Sequence, residues 1–371
     1  MKVEEFVKII GADFFTGVPD SRLKALCNYL YDTYGTDSKY HIIAANEGNC
    51  VGIAAGYHLA TEKIPVVYLQ NSGEGNIINP VASLLHKKVY AIPVIFVIGW
   101  RGEPGIHDEP QHIFQGEITL KLLEDMEIDY LILDKDSTAD DIIVFIEKNK
   151  ENLSQGGSIA FVVKEKALQY DTSTKYKNNY QMLREDILKE IVKVSDGDPI
   201  ISTTGKTSRE LFEIREALGQ SHEHDFLTVG SMGHSSSIAL GVALNKPDKK
   251  IWCVDGDGGA IMHLGAMATI GSCAPENLVH IVINNEAHES VGGQPTAAGK
   301  IDLCEIAGGC GYHDVVCVND HVSLIEELKK AKEGNRLKFI EIKSAIGSRT
   351  DLGRPTTTTM ENKEAFMLHL R

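Results

Sequence analysis

A surplus of positive charge is missing from this chain. Across 371 residues, 37 lysines and arginines face 52 aspartates and glutamates, a formal net charge of −15. Sequence-independent binding to nucleic acid or to an anionic membrane is therefore disfavoured, because no basic excess exists to displace counterions. Long apolar runs are missing too. No stretch approaches the ~18 residues of a spanning helix, and Met1-Lys-Val-Glu-Glu5 lacks the basic flank and apolar core of a signal peptide. Seven cysteines (Cys27, Cys50, Cys253, Cys273, Cys304, Cys310, Cys317) form an odd, scattered set without a Cys-x-x-Cys pair. They read as buried small hydrophobes in a reducing compartment rather than as zinc ligands or a disulfide frame, and the expected location is the cytoplasm. With 43% hydrophobic and 24% charged residues, disorder, a coiled coil and a collagen-like fibre are excluded. At roughly 150 residues per domain, two domains are expected.

What is present is a recurrence of short β-branched runs between segments of helical period, the signature of βα units and a parallel sheet. Strands are expected at Asp13–Val18, His41–Ala45, Val66–Gln70, Val94–Gly99, Tyr130–Leu133 and Ile159–Val163. A helix is expected over Asp20–Thr33, with Asp20 as its cap. The polar, aperiodic stretch 169–182 reads as a linker between a first domain (1–168) and a second (183–371). The second series has strands near Pro199–Thr203, Phe226–Val229, Ile251–Val254, Val279–Ile283 and Lys338–Ile342. The fold class is α/β, two doubly wound parallel-sheet domains. Ligands of such sheets bind outside the carboxyl ends of the strands, so motifs there carry the functional argument.

Strand Ile251–Val254 runs into Asp255-Gly256-Asp257-Gly258-Gly259 and a helical stretch, Ala260–Ser272. Glycines let backbone approach a bulky anion. A dinucleotide fingerprint fails, because the sixth position counted from Gly256 is Ile261. An aspartate between glycines suits a diphosphate when it holds a cation. The next strand supplies a partner: 25 residues separate Gly258 from Asn284-Asn285, enough for one helix and one strand. Magnesium takes six oxygens in an octahedron. Asp257, the Asn285 amide oxygen, the Ala287 carbonyl, two diphosphate oxygens and a water complete that shell.

Gly-Asp-Gly followed at this spacing by Asn-Asn resembles the metal–diphosphate motif of thiamine diphosphate enzymes. The resemblance implies a pyrimidine domain followed by a diphosphate domain, with thiamine diphosphate and Mg2+ as cofactors. It implies that Glu47, in Asn46-Glu47-Gly48 at a strand end, stands opposite N1′ of the aminopyrimidine. It also implies that Gly230-Ser231-Met232-Gly233 shapes the cofactor, with Met232 as a wedge and the Gly230 carbonyl accepting from the 4′-amino group. In this family the cofactor lies between the pyrimidine domain of one subunit and the diphosphate domain of another, so at least a homodimer is implied. The third, middle domain of most 2-oxo acid decarboxylases has no room here.

The compact plan is similar to that of the phosphonopyruvate decarboxylases over nearly the whole length, with sulfopyruvate decarboxylases next. The resemblance rests on Phe14-Phe-Thr-Gly-Val-Pro-Asp20-Ser21, Gln70-Asn-Ser-Gly-Glu-Gly-Asn76, Gly99-Trp-Arg-Gly-Glu-Pro-Gly105, Glu109-Pro-Gln-His112, His288-Glu-Ser-Val-Gly-Gly-Gln-Pro-Thr296 and Gly347-Ser-Arg-Thr-Asp-Leu-Gly-Arg-Pro355. It implies decarboxylation of 3-phosphonopyruvate to phosphonoacetaldehyde and carbon dioxide, toward 2-aminoethylphosphonate-type compounds. A substrate with about three negative charges calls for guanidinium forks. Arg101, Arg349 and Arg354 are the candidates, with Asp20 and Ser21 as further substrate contacts. Asp20, His112 and His288 are candidates for the final proton donor. Two other readings are weaker. A nicotinamide dehydrogenase lacks its fingerprint, and a non-catalytic thiamine diphosphate binder has no need of Glu47.

Overall fold

The β-branched runs assemble into two parallel sheets in the computed structural model, which describes residues 1–172 and 174–371. Ser173, inside the expected linker, lies outside the described residues. The chain divides into two compact units, Met1–Tyr176 with Ser290–Gln294, and Lys177–Glu289 with Pro295–Arg371. From 164 to 183 the described residues form no helix or strand beyond a single bridge between Lys2 and Gln169.

In the first unit the strands are β1 (Phe15–Gly17), β2 (His41–Ile43), β3 (Val66–Gln70), β4 (Ile95–Gly99), β5 (Asp129–Leu133) and β6 (Ile159–Val163). They lie in the order β2-β1-β3-β4-β6-β5, all pairs parallel. The second unit has β7 (Ile200–Ser202), β8 (Asp225–Leu227), β9 (Ile251–Gly256), β10 (Leu278–Asn284), β11 (Asp314–Val318) and β12 (Lys338–Lys343). Their order is β11-β12-β10-β9-β7-β8, again wholly parallel. Central strands such as β4, β6 and β10 are buried along their whole length, as covering helices on both faces require.

Four details differ from the expectation. Strand β1 is shorter, because Pro19 has no N–H to continue the ladder, and its last residue must be glycine: a Cβ on Gly17 would stand 2.2 Å from the Tyr68 carbonyl oxygen. The helix after it begins only at Lys24 (Lys24–Tyr34) and its cap is Leu23, not Asp20. The Asp20 carboxylate instead accepts the N–H groups of Arg22 (2.9 Å) and Leu23 (3.2 Å), closing a turn ahead of the helix. The helix expected over Ala260–Ser272 is two pieces, Asp257–Met262 and Gly265–Cys273, because His263 leaves helical space at φ −124°, ψ 52°. Strand β11 was not expected; it is an edge strand, half exposed, marked only by Val315-Val-Cys-Val318.

Candidate active site

The first unit gathers its polar groups at the carboxyl ends of β1, β3 and β4. Asp20 is fully buried, and burial raises its carboxyl despite hydrogen bonds from Gln70, Arg22 and Leu23. It fits there because β4 ends in glycine: a Cβ on Gly99 would sit 2.0 Å from the Asp20 carboxylate. Just beyond, Arg101 grips Asp108 through Nε (2.8 Å) and Nη2, while Nη1 donates to the Ser21 hydroxyl (3.1 Å). Asn71 fixes the backbone of Arg101 on both sides, donating to its carbonyl (2.8 Å) and accepting from its N–H (3.1 Å). His112 joins the cluster with Nδ1 buried and unpartnered, and burial, aided by Arg101, lowers its pKa to about 4. Asp20, Ser21, Arg101 and His112 are thus brought together.

Glu47 opens the helix Glu47–Thr61, which Asn46 caps by accepting from the Gly48 N–H at 2.7 Å. The Glu47 carboxyl is buried, takes one hydrogen bond from Asn76 (2.7 Å), and lies against Gly73, where a Cβ would stand 2.5 Å from it. Burial pushes its pKa up. A carboxyl so held favours the protonated form, the form that can donate to a ring nitrogen.

In the second unit, Asp257 follows β9 and is buried, with the Thr296 hydroxyl donating to it. Burial pushes its pKa to about 7, against the pull of Thr296 and the N–H groups of Gly258 and Asn285. The two asparagines divide their work. Asn284 is structural, donating to Glu341 (2.7 Å) and accepting from the Glu286 N–H (2.9 Å). Asn285 donates to Glu289 (3.0 Å), which fixes the amide and turns its oxygen toward the Ala287 N–H (3.1 Å). The Ala287 carbonyl accepts from the Glu289 N–H (2.8 Å).

Gly230 and Ser231 follow β8, where Ser231 and Gly233 take positive φ of 53° and 85°. That turn aims Met232 at the glycines: a Cβ on Gly258 would meet the Met232 methyl at 3.1 Å and the His288 ring at 3.8 Å. Likewise, a Cβ on Gly259 would stand 2.4 Å from the Asp255 carboxylate. Gly256, Gly258, Gly259, Met232, His288 and Asp257 therefore form one cradle. Its buried carboxylate, amide oxygen and carbonyl are a donor set for a hard divalent cation beside a diphosphate. His288 is buried there, its pKa lowered to about 4.

The tail arginines are placed differently. Arg349 is exposed and gives its nitrogens to Glu185 (2.8 Å), Glu213 and Asp351 (3.1 Å). Arg354 is exposed just after Leu352 and Gly353, whose carbonyls accept from Arg209.

Sequence reasoning missed several residues. Asp108 clamps Arg101, and the guanidinium holds its carboxyl below the usual range despite burial. Glu74 is buried with one oxygen unpartnered and burial lifts it to about 8; it lies inside the Gly-Glu-Gly of the 70–76 segment, which was its only signal. Thr296 serves Asp257. Arg184, paired to Glu210 (2.7 and 2.8 Å) and to Glu289 (2.9 Å), anchors the carboxylate that orients Asn285.

Comparison with known proteins assigns both halves of the chain to one kind of enzyme. The N-terminal TPP binding domain of thiamine pyrophosphate enzymes matches residues 3–125, and the C-terminal TPP binding domain matches residues 203–342. Fold, cradle and matches define a thiamine diphosphate-dependent enzyme. Phosphonopyruvate decarboxylase of Streptomyces viridochromogenes is 32% identical over 375 residues, covering 96% of this chain and 91% of its own. That of Streptomyces hygroscopicus is 32% identical, with 96% and 90% covered. Sulfopyruvate decarboxylase of Methanosarcina acetivorans is 29% identical, with 92% and 90% covered. The chain belongs to the phosphonopyruvate decarboxylase family and is a decarboxylase. Among the described residues no helix is long and apolar enough to cross a membrane.

Proposed function

We propose that this decarboxylase converts 3-phosphonopyruvate to phosphonoacetaldehyde and carbon dioxide, in phosphonate biosynthesis. The observation that carries the reading is Arg101, held by Asp108 and turned to Ser21 in one cluster with buried Asp20. With Nε and Nη2 held by Asp108, the Arg101 Nη1 beside the Ser21 hydroxyl is a fixed, charge-assisted donor for a phosphonate oxygen. Arg349, engaged by three carboxylates, is read as an anchor of the tail rather than a substrate contact.

Magnesium is the proposed cation, held by Asp257, Asn285 and the Ala287 carbonyl, with Met232 and Gly230 supporting the cofactor. Thiamine diphosphate, when bound, supplies a nucleophilic carbon and an electron sink for the pair left by carbon dioxide. Glu47 holds a proton at its carboxyl for the aminopyrimidine ring, and Asn76 and Gly73 keep that carboxyl in one place. Asp20 is the preferred proton donor, because burial raises its carboxyl, whereas His112 and His288, held near 4, are uncharged at neutral pH. The working assembly is a homodimer or larger homo-oligomer in the cytoplasm.

The test is kcat/KM for 3-phosphonopyruvate, sulfopyruvate and pyruvate with magnesium and thiamine diphosphate. Phosphonopyruvate is expected to lead sulfopyruvate by about tenfold or more and pyruvate by more still, since pyruvate has no anionic head group to meet Arg101 Nη1 and the Ser21 hydroxyl. A preference for sulfopyruvate or pyruvate overturns the substrate assignment.

A further inference from the structure

The face of the second sheet opposite its main apolar cluster carries polar groups that the decarboxylase chemistry does not use. Trp252, Val254, Val279 and Ile281 point into that cluster. Side chains alternate along a strand, so Cys253 and Asp255 share the other face of β9. His280 of β10 lies in register with Cys253 and so joins them. All three are buried, and their ligand atoms lie within 4.8 Å of one another.

Two of these atoms lack what burial demands. Asp255 Oδ1 takes the Gly256 N–H at 2.9 Å, but Oδ2 has no hydrogen-bond partner, and neither has His280 Nε2. The buried Ser235 hydroxyl lies within reach of both Cys253 and Asp255, and the Thr203 hydroxyl also faces the Asp255 carboxylate. The imidazole is held by the Tyr312 hydroxyl, 2.9 Å from Nδ1, and by Phe339 edge-on to the ring. A Nδ1–H bond to Tyr312 leaves the Nε2 lone pair without a partner, and a ring nitrogen so placed is available to an ion. Unpartnered buried polar atoms are costly and few in native structures.

We propose that Cys253, Asp255 and His280 form a closed structural site for a zinc-class ion, with Ser235 on its fourth side. A thiolate, an imidazole and a carboxylate suit zinc rather than magnesium, so this site differs in donor chemistry from the Asp257 cradle, which it adjoins where Asp255 meets Gly259. In tetrahedral zinc sites ligand atoms stand about 3.3–3.8 Å apart, so this set closes with movements on the order of 1 Å. Thiolate and carboxylate cancel the charge of the ion, and no net charge is buried. On binding, the thiol proton passes to solvent and the sulfur forms the metal bond. The ion ties β9 to β10 just before Asp257 and so stiffens the strand end that presents it. Cys253 is then a ligand, unlike the inert small hydrophobe expected of a lone, unpaired cysteine.

The test is metal content by plasma mass spectrometry on full-length protein produced with zinc and dialysed. Wild type and Asp257→Ala should each keep about one zinc per chain, and Cys253→Ala and His280→Gln should keep less than roughly a tenth of it. Cobalt-grown wild type should show a thiolate-to-cobalt charge-transfer band that Asp257→Ala keeps and Cys253→Ala loses. Zinc-free wild type without the cobalt band overturns the proposal, as does full zinc in Cys253→Ala. If the variants fail to fold, anomalous X-ray scattering from wild type decides: a peak between the three side chains supports the site, and an ordered water or no density there overturns it.

Discussion

Asp257 shows how one buried acid couples protons to metal. Its carboxyl is raised to about 7 by burial, well above the ordinary aspartate value, so the metal-free folded chain binds a proton that the unfolded chain releases near pH 3.9. An acid raised on folding stabilises the fold only at low pH; that contribution is lost as pH climbs from the unfolded value through the folded one. A divalent cation competes with this proton and relieves the buried charge. The rise in Tm on adding magnesium is therefore expected to be small at pH 6 and to grow between pH 6 and 8, while Asp257→Ala abolishes it. Thermal scans across that range, with and without magnesium, check the slope; a magnesium effect independent of pH contradicts the assignment. Asp257 and Asn285 stand out in the sequence because each lies at a strand end, whereas Glu47 is singled out by the resemblance. Thr296 was not legible there, because it is 39 residues from Asp257 along the chain and no short-range pattern pairs them; Asp108 lies only 7 residues from Arg101, but in an aperiodic loop whose turn brings the two together.

Elements were legible where they are central and obscure where they are edges. Fully buried strands such as β4 and β6 announce themselves as unbroken apolar runs, whereas β11 mixes exposed, half-buried and buried residues beside a single neighbour. Edge strands need covering to avoid pairing with other chains, and β8 is covered in a way the sequence conceals. The helix Thr359–His369 brings Asn362 to the outer side of β8, where its amide accepts from the Leu227 N–H (3.0 Å) and donates to the Asp225 carbonyl (2.8 Å). One side chain thus replaces a missing strand. Asn362→Ala leaves a buried N–H and C=O unpaired and is expected to cost about 1–3 kcal/mol. Denaturant unfolding should show a lowered midpoint at nearly unchanged slope; a shift below about 0.5 kcal/mol contradicts the role of the amide.

At the scale of the whole molecule, the functional groups are divided between two units of the chain: Glu47 and Arg101 in the first, Asp257 and Asn285 in the second. Such a division is compatible with a complete set of groups in one chain or with groups contributed by two, and the proposed homo-oligomer takes the second course. The two arrangements differ in what they forbid. Glu47→Gln and Asp257→Ala should each be nearly inactive alone. Co-expressed in equal amounts as a dimer, they pair at random, so half the dimers are mixed. In a mixed dimer one site combines intact Glu47 with intact Asp257 and the other carries both substitutions. Activity should then return to about a quarter of wild type. If both groups serve within one chain, every site carries one substitution and nothing returns. Decarboxylation measured on the co-purified mixture, with differently tagged chains to show that pairing occurred, separates the cases: recovery near a quarter supports a coenzyme shared between copies, and activity at the level of the single variants contradicts it.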